Sequence, residues 1–184
     1  MGAADHLQGD EINIDALRRV LGADVSYEGM VAHFQIPDAS AYNMAADTVD
    51  RHALGEKANS TALVCDDGEG NVKRYSFANL SALSDRFATF LRTHGVGKGD
   101  VVACYCGQGL ETALTHLGAY KLGAVAAPLS QLYGPDAVAH VLADCDAKVI
   151  VTERVLWDRI AAVRERGGLG KVIVSGGAEA GELS

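Results

Sequence analysis

No cluster of lysine and arginine stands out anywhere in the 184 residues, and the 16 basic side chains are outnumbered by 24 acidic ones. A formal net charge of −8 withholds the electrostatic footprint a nucleic-acid binder needs. The same charge disfavours contact with anionic lipid headgroups. No apolar run approaches the roughly 18 residues of a membrane-spanning helix. The first ten residues are small and polar, so the basic start and apolar stretch of a secretory signal are missing too. No membrane span and no nucleic-acid partner are expected, and the expected location is the cytoplasm.

Cysteine is sparse: Cys65, Cys104, Cys106 and Cys145. None forms C-x-x-C and no histidine stands at zinc-finger spacing, which argues against a redox motif or a structural metal. Cys65, Cys104 and Cys106 lie in apolar, strand-like runs and are expected to be buried free thiols. That use of cysteine suits a reducing compartment. Glycine is plentiful, at 21 residues, but sits at segment ends without a collagen-like period.

What the chain does have is alternation of elements. Residues 1–10 are expected to lack a fixed fold. Ile14, Leu17, Val20 and Leu21 recur at helical spacing, and 23–41 reads as a loop. Asn43 is a good N-cap for a helix carrying Met44, Thr48, Val49 and His52 along one side. Two strand-like runs, from Thr61 and from Val72, flank Asp67-Gly68-Glu69-Gly70-Asn71 and predict a hairpin. Leu80, Leu83, Phe87, Phe90 and Leu91 then mark a helix.

From Asp100 onward the order is strand, helix, strand, helix, strand, helix, strand. The strands (101–106, 124–129, 148–152, 172–174) are continuous apolar runs rather than alternating ones. The helices span about 110–122, with Leu110, Leu114 and Leu117 on one face, then 135–147 and 155–166. Continuous apolar strands are covered on both faces. The expected fold is therefore α/β: a doubly wound, mostly parallel sheet with helices on both faces, preceded by the short antiparallel hairpin.

An α/β pattern invites a nucleotide, yet the phosphate motifs fail. Gly97-Lys98 is followed by Gly99, so the Ser/Thr of a Walker loop is missing, and the pair precedes a strand instead of following one. Gly107-Gln108-Gly109 follows a strand and opens a helix, the right place for a dinucleotide fingerprint. Its third glycine position is Thr112, and the next strand ends at Leu129-Ser130 without an acid. Ser130 sits at a strand's carboxyl end but has no visible histidine or acid partner, and no Gly-x-Ser-x-Gly elbow exists. Paired carboxylates fall in turns, where aspartate caps backbone. The residues thus predict a crevice near Cys106-Gly107 and Ser130-Gln131, with no catalytic set and no metal ligands.

Several segments together resemble a known family. Tyr75-Ser-Phe-Ala-Asn-Leu80, Gly95-Val-Gly-Lys-Gly-Asp100-Val-Val-Ala103, Leu117-Gly-Ala-Tyr-Lys-Leu-Gly-Ala-Val-Ala-Ala-Pro-Leu129 and Asp144-Cys-Asp-Ala-Lys-Val-Ile-Val-Thr152 are similar to the opening of the AMP-forming adenylating enzymes. Tyr42-Asn-Met-Ala-Ala-Asp-Thr-Val-Asp-Arg-His52 resembles the acetyl-CoA and medium-chain acyl-CoA synthetase branch. The resemblance implies a two-step ligase in which a carboxylic acid, ATP with Mg²⁺, and CoA give an acyl-CoA through an acyl-adenylate.

The family's phosphate loop, Ser-Gly-Thr-Thr-Gly-x-Pro-Lys-Gly, does not occur in the chain, nor do its adenine and ribose motifs or its C-terminal lysine. Residues 1–41 are then expected to be an N-terminal extension. Residues 42–184 are expected to be the first part of the adenylation domain, ending before the phosphate loop. No catalytic residue carries over. By the same resemblance Ser130, Gln131, Leu132 and Tyr133 match the loop approaching CoA. Gly107, Gln108 and Gly109 match a loop facing the crevice. ATP, Mg²⁺ and CoA belong to the parent enzyme, with tight binding by this segment not expected. An uncovered sheet edge suggests self-association. The alternatives are a free-standing Rossmann-like module for a small molecule or protein, and an aryl-CoA ligase of the same superfamily.

Overall fold

The computed structural model of the protein describes residues 26–28, 42–165, 167 and 169–176. The chain divides into two compact units, Met1–Tyr42 and Asn43–Ser184. The helix expected over 14–21 and, apart from residues 26–28, the loop expected over 23–41 lie outside the described residues.

The second unit starts as the N-cap reading anticipates. The Asn43 side-chain oxygen accepts from the amides of Ala45 (3.0 Å) and Ala46 (3.2 Å). The turn that follows is π-helical, Ala46–Asp50, and leads into a short α1, Arg51–Ala53. A π turn holds more residues than an α turn and so rotates the inward side. Ala45 and Val49 are the buried positions, and Met44 of the expected stripe is exposed.

Strands β1 (Thr61–Asp66) and β2 (Val72–Ser76) form the expected antiparallel hairpin. Asp67 organises its turn by accepting from the amides of Glu69 and Asn71. Ser76 ends β2 and caps α2 (Phe77–Thr93) through a reciprocal box with Asn79. Gly95, at φ +90, closes that helix in a left-handed conformation that costs glycine nothing.

The remaining elements are β3 (Val101–Tyr105), α3 (Leu110–Lys121), β4 (Val125–Pro128), α4 (Pro135–Asp144), β5 (Ala147–Glu153), α5 (Trp157–Glu165) and β6 (Lys171–Ser175). Pro135 opens α4, where its missing N–H is no loss. The four strands pair in parallel in the order β4-β3-β5-β6.

Alternation along each strand splits the core into two layers. Ala103, Tyr105, Ile150, Val172 and Val174 pack with Val138, Leu142, Ile160 and Val163 of α4 and α5. Val102, Cys104, Cys106, Val149, Val151 and Ile173 pack on the other face with Leu91 of α2 and Ala119 of α3. The sheet is doubly wound, as the apolar runs require.

Two local expectations change. The fully buried residues of α3 are Thr115, Gly118 and Ala119, while the leucines at 110, 114 and 117 are half-buried. The reason is close approach: a Cβ on Gly118 would stand 2.8 Å from the Phe87 ring of α2. Cys65 is half-buried rather than buried, because it lies on the hairpin outside the sheet core. Among the described residues, no helix is long and apolar enough to cross a membrane.

Candidate functional site

The strand order contains a switch. From β3 the chain moves outward to β4, then returns across to β5 and continues outward to β6. The connections leaving β3 and β5 therefore run to opposite faces. Open α/β sheets hold ligands in the crevice outside the carboxyl ends of such strands. Here those ends are Tyr105-Cys106-Gly107 and Thr152-Glu153.

Gly107 stands at the centre. Its N–H donates to Glu153 Oε1 at 3.0 Å. A Cβ placed on Gly107 would meet Gln131 Nε2 at 3.0 Å and Glu153 Oε1 at 3.4 Å, so only glycine lets these neighbours close in undisturbed. Thr112 fastens the far side of the turn, its hydroxyl donating to the Gly107 carbonyl. Gly107 and Gln131, singled out from sequence on separate loops, are thus neighbours.

Gln108 and Gly109 face elsewhere. With Leu110 and Glu111 they line a polar hollow of about 330 Å³ whose other wall is the hairpin, at Cys65, Asp66, Asp67, Asn71, Lys73 and Tyr75. Glu111 reaches across to accept from the Ser175 hydroxyl at 3.0 Å, tying α3 to the end of β6. In that hollow Asp67 is held below its ordinary carboxylate value of 3.8, first by the Asn71 side chain and then by the amides of its turn.

The Ser130–Tyr133 loop lies at the end of β4. Tyr133 N–H donates to the Ser130 carbonyl at 3.0 Å and Leu132 N–H to the Ser130 hydroxyl at 3.2 Å. Leu132 is 92% exposed and Tyr133 41%.

Cys104 and Cys106 sit below the crevice on the α2 and α3 face, both buried. Cys104 Sγ donates to Thr112 Oγ1 at 3.7 Å and Cys106 Sγ to the Val151 carbonyl at 3.4 Å; the Cys106 side chain first, against burial, draws Cys104 down to about 6. The neighbouring Cys104 side chain, then burial, pushes Cys106 up, and the nearby carboxylates Glu153 and Glu111 add to it.

The chemistry of this surface does not suit a triphosphate. The Gly107 amide is already committed to a carboxylate, and Glu111 occupies the first turn of α3, where an anion would otherwise be received. Among the described residues, no group of three or more His, Cys, Asp or Glu is placed to hold a metal.

Sequence reasoning missed Glu153, Tyr105 and Arg159. Glu153 carried a usable signal, an acid at the carboxyl end of an apolar strand. Tyr105 read only as part of an apolar run. Arg159 carried none, since its role depends on where α5 packs.

A parallel doubly wound sheet with its crevice at the β3/β5 switch defines an α/β ligand-binding scaffold. The pattern of the family described as AMP-binding enzyme matches residues 49–182, and the chain belongs to that family. It is 36% identical over 161 residues to the acetyl-coenzyme A synthetase of Bacillus subtilis (strain 168), covering 81% of this chain and 28% of that protein. It is also 36% identical over 111 residues to the acetyl-coenzyme A synthetase of Sodalis glossinidius (strain morsitans), covering 60% of this chain and 17% of that one.

The fold superimposes on the Brucella canis acyl-CoA synthetase with a TM-score of 0.71 and 26% identity, over 78% of this chain and 26% of the other. The anthranilate CoA ligase AuaEII, solved with anthranoyl-AMP, gives 0.67 and 28% over the same share of this chain and 26% of its own. The chain therefore spans about a quarter or less of the length of these relatives.

Proposed function

We propose that this chain supplies the scaffold half of an AMP-forming acyl-CoA synthetase, with the β3/β5 crevice facing the adenylate and CoA. Residues 1–41 form an extension and 42–184 the first part of the adenylation domain. In the reaction of the whole protein, a carboxylate oxygen attacks the α-phosphorus of ATP, and pyrophosphate leaves. The CoA thiol then attacks the acyl carbon of the adenylate, loses its proton, and expels AMP. Mg²⁺ neutralises the phosphates of ATP in that scheme. Within it, the loop of Gly107, Gln108 and Gly109 borders the crevice, Gly107 at its centre and Gln108 and Gly109 on the side of the hairpin hollow, and Ser130, Gln131, Leu132 and Tyr133 approach CoA. The protein works in the cytoplasm.

One observation carries the proposal. A family pattern spanning 49–182 coincides with a fold in which loops matched to that family, at Gly107 and Gln131, converge at the strand ends. The similarity to acetyl-coenzyme A synthetases favours a short aliphatic acid. The likeness to an anthranilate CoA ligase supports an aryl acid as the second reading.

Carboxylate-dependent exchange of labelled pyrophosphate into ATP tests this. The 184-residue chain should give none. The polypeptide translated through the frame that follows Ser184 should give exchange and should contain the Ser-Gly-Thr-Thr-Gly loop. Acetate assayed beside benzoate and anthranilate separates the aliphatic from the aryl reading. Exchange by the 184 residues alone, or tight magnesium-dependent ATP binding to them, refutes the proposal. A stop codon directly after Ser184 favours a free-standing module instead.

A further inference from the structure

We propose that Tyr105 and Arg159 are positioning residues that hold the Ser130–Gly134 loop in a single backbone conformation, so that Leu132 and Tyr133 are presented outward from a fixed frame. Tyr105 closes β3 with its ring fully buried, so its phenol must find partners inside the protein. It finds two. The hydroxyl donates to the Tyr133 carbonyl at 2.7 Å and accepts from Arg159 Nη1 at 3.0 Å. Arg159 reaches in from α5 and donates to the Gln131 carbonyl and, at 3.3 Å, to the Tyr133 carbonyl. A planar guanidinium with several donors suits this cluster of one phenol and two carbonyls better than an ammonium would.

The loop is therefore tied at residues 131 and 133 from outside and closed on Ser130 from within. Here Leu132 stays 92% exposed on a tethered backbone. Holding such residues ready removes the entropy a ligand would otherwise have to overcome in ordering them. The consequence for function rests on reading this loop as CoA-proximal; the tether itself does not.

Limited chymotrypsin digestion of the 184-residue chain tests the tether, because the protease cuts after leucine and tyrosine. Leu54, at 90% exposure and outside the loop, serves as the internal reference. Arg159→Met and Tyr105→Phe should each speed cleavage after Leu132 and Tyr133 by about five-fold while cleavage after Leu54 stays constant. Arg159→Lys, which restores one donor, should fall between. Unchanged loop cleavage overturns the proposal. Equal acceleration at Leu54 overturns it too, since that reports general loosening.

A titration with millimolar CoA, followed by the amide resonances of Gly107 and Leu132, tests the consequence separately. Shifts in the unaltered chain that weaken several-fold in Arg159→Met support it. A loosened loop with no CoA shifts in the unaltered chain leaves the tether standing and overturns the CoA-proximal reading.

Discussion

The Lys121 ammonium lies 2.8 Å from Asp50 and 2.6 Å from Asp85, joining the end of α3 to the π-helical turn and to α2. It also donates to the Ser81 carbonyl, and the Ser81 hydroxyl donates to Asp50. One cation thus fastens three segments that sequence separates by up to 71 positions. The lysine side chain is only 9% exposed, but Asp85 is 65% exposed. Removing one partner of a fully buried pair costs roughly 3–5 kcal/mol; the exposure of Asp85 brings the expectation for Lys121→Met down to about 1–3 kcal/mol. Asp85→Asn leaves Asp50 in place and should cost less. Urea unfolding of the three proteins gives the order directly.

Gly170 is fixed by backbone rather than by side chains. A Cβ there would collide with the Lys148 carbonyl and lie 3.2 Å from the Ala147 carbonyl, both on β5. Neither can move without distorting the β5–β6 pairing that starts at Val149 and Lys171. Gly170→Ala should destabilise by at least about 1–3 kcal/mol, the ordinary range for overpacking. At Gly118 the obstructing atom belongs to the half-buried Phe87 ring, a side chain rather than backbone, so Gly118→Ala should cost less. Thermal midpoints of the two variants test the contrast.

Asp100 holds a pH-dependent contact at the foot of β3. Its carboxylate accepts from Lys148 Nζ at 2.8 Å and from the Gly97 amide at 2.7 Å. These, with the lysine first, hold it below the usual value of 3.8. A depressed carboxylate stabilises the fold above its unfolded value and loses that contribution as pH falls through the folded one. Stability should therefore drop below about pH 4. Asp100→Asn should make the fall in midpoint between pH 5 and pH 3 smaller, leaving the part that Asp67 and the other carboxylates contribute. Urea unfolding midpoints at the two pH values provide the check.

The sheet was legible because its signal is local. Runs such as Val101–Tyr105 and Val149–Val151 are apolar at every position, and only strands covered on both faces need that. Capping was legible for the same reason at Asn43 and Pro135, while the Ser76–Asn79 box, a signal of the same kind, went unread. The inward face of α3 was not, because close helix packing chose Thr115, Gly118 and Ala119 over the leucines, and that choice depends on Phe87 in another helix. The π turn at Ala46–Asp50 misled the stripe reading in a similar way. At the site, Gly107 and Gln131 could be named from their places after strands. The bonds that fix them come from Glu153 and Arg159, whose roles exist only once β5 and α5 are in position.

The sheet edge at β6 leads to the last prediction. Among the described residues β6 pairs only with β5. Beside it a cleft of about 400 Å³ is lined chiefly by Phe87, Leu114, Val151, Ile173 and Val174, with Glu111 and Ser175 at its polar end. A strand edge left unpaired next to apolar surface is a template for association with another chain. The 184-residue chain should therefore self-associate in a concentration-dependent way, seen as a rising weight-average sedimentation coefficient. Leu114→Glu adds a second carboxylate to the cleft near Glu111. It should shift the equilibrium toward monomer through both desolvation and like-charge repulsion. A single monomeric boundary for the unaltered chain at the highest attainable concentration would count against the edge and its cleft as a contact surface.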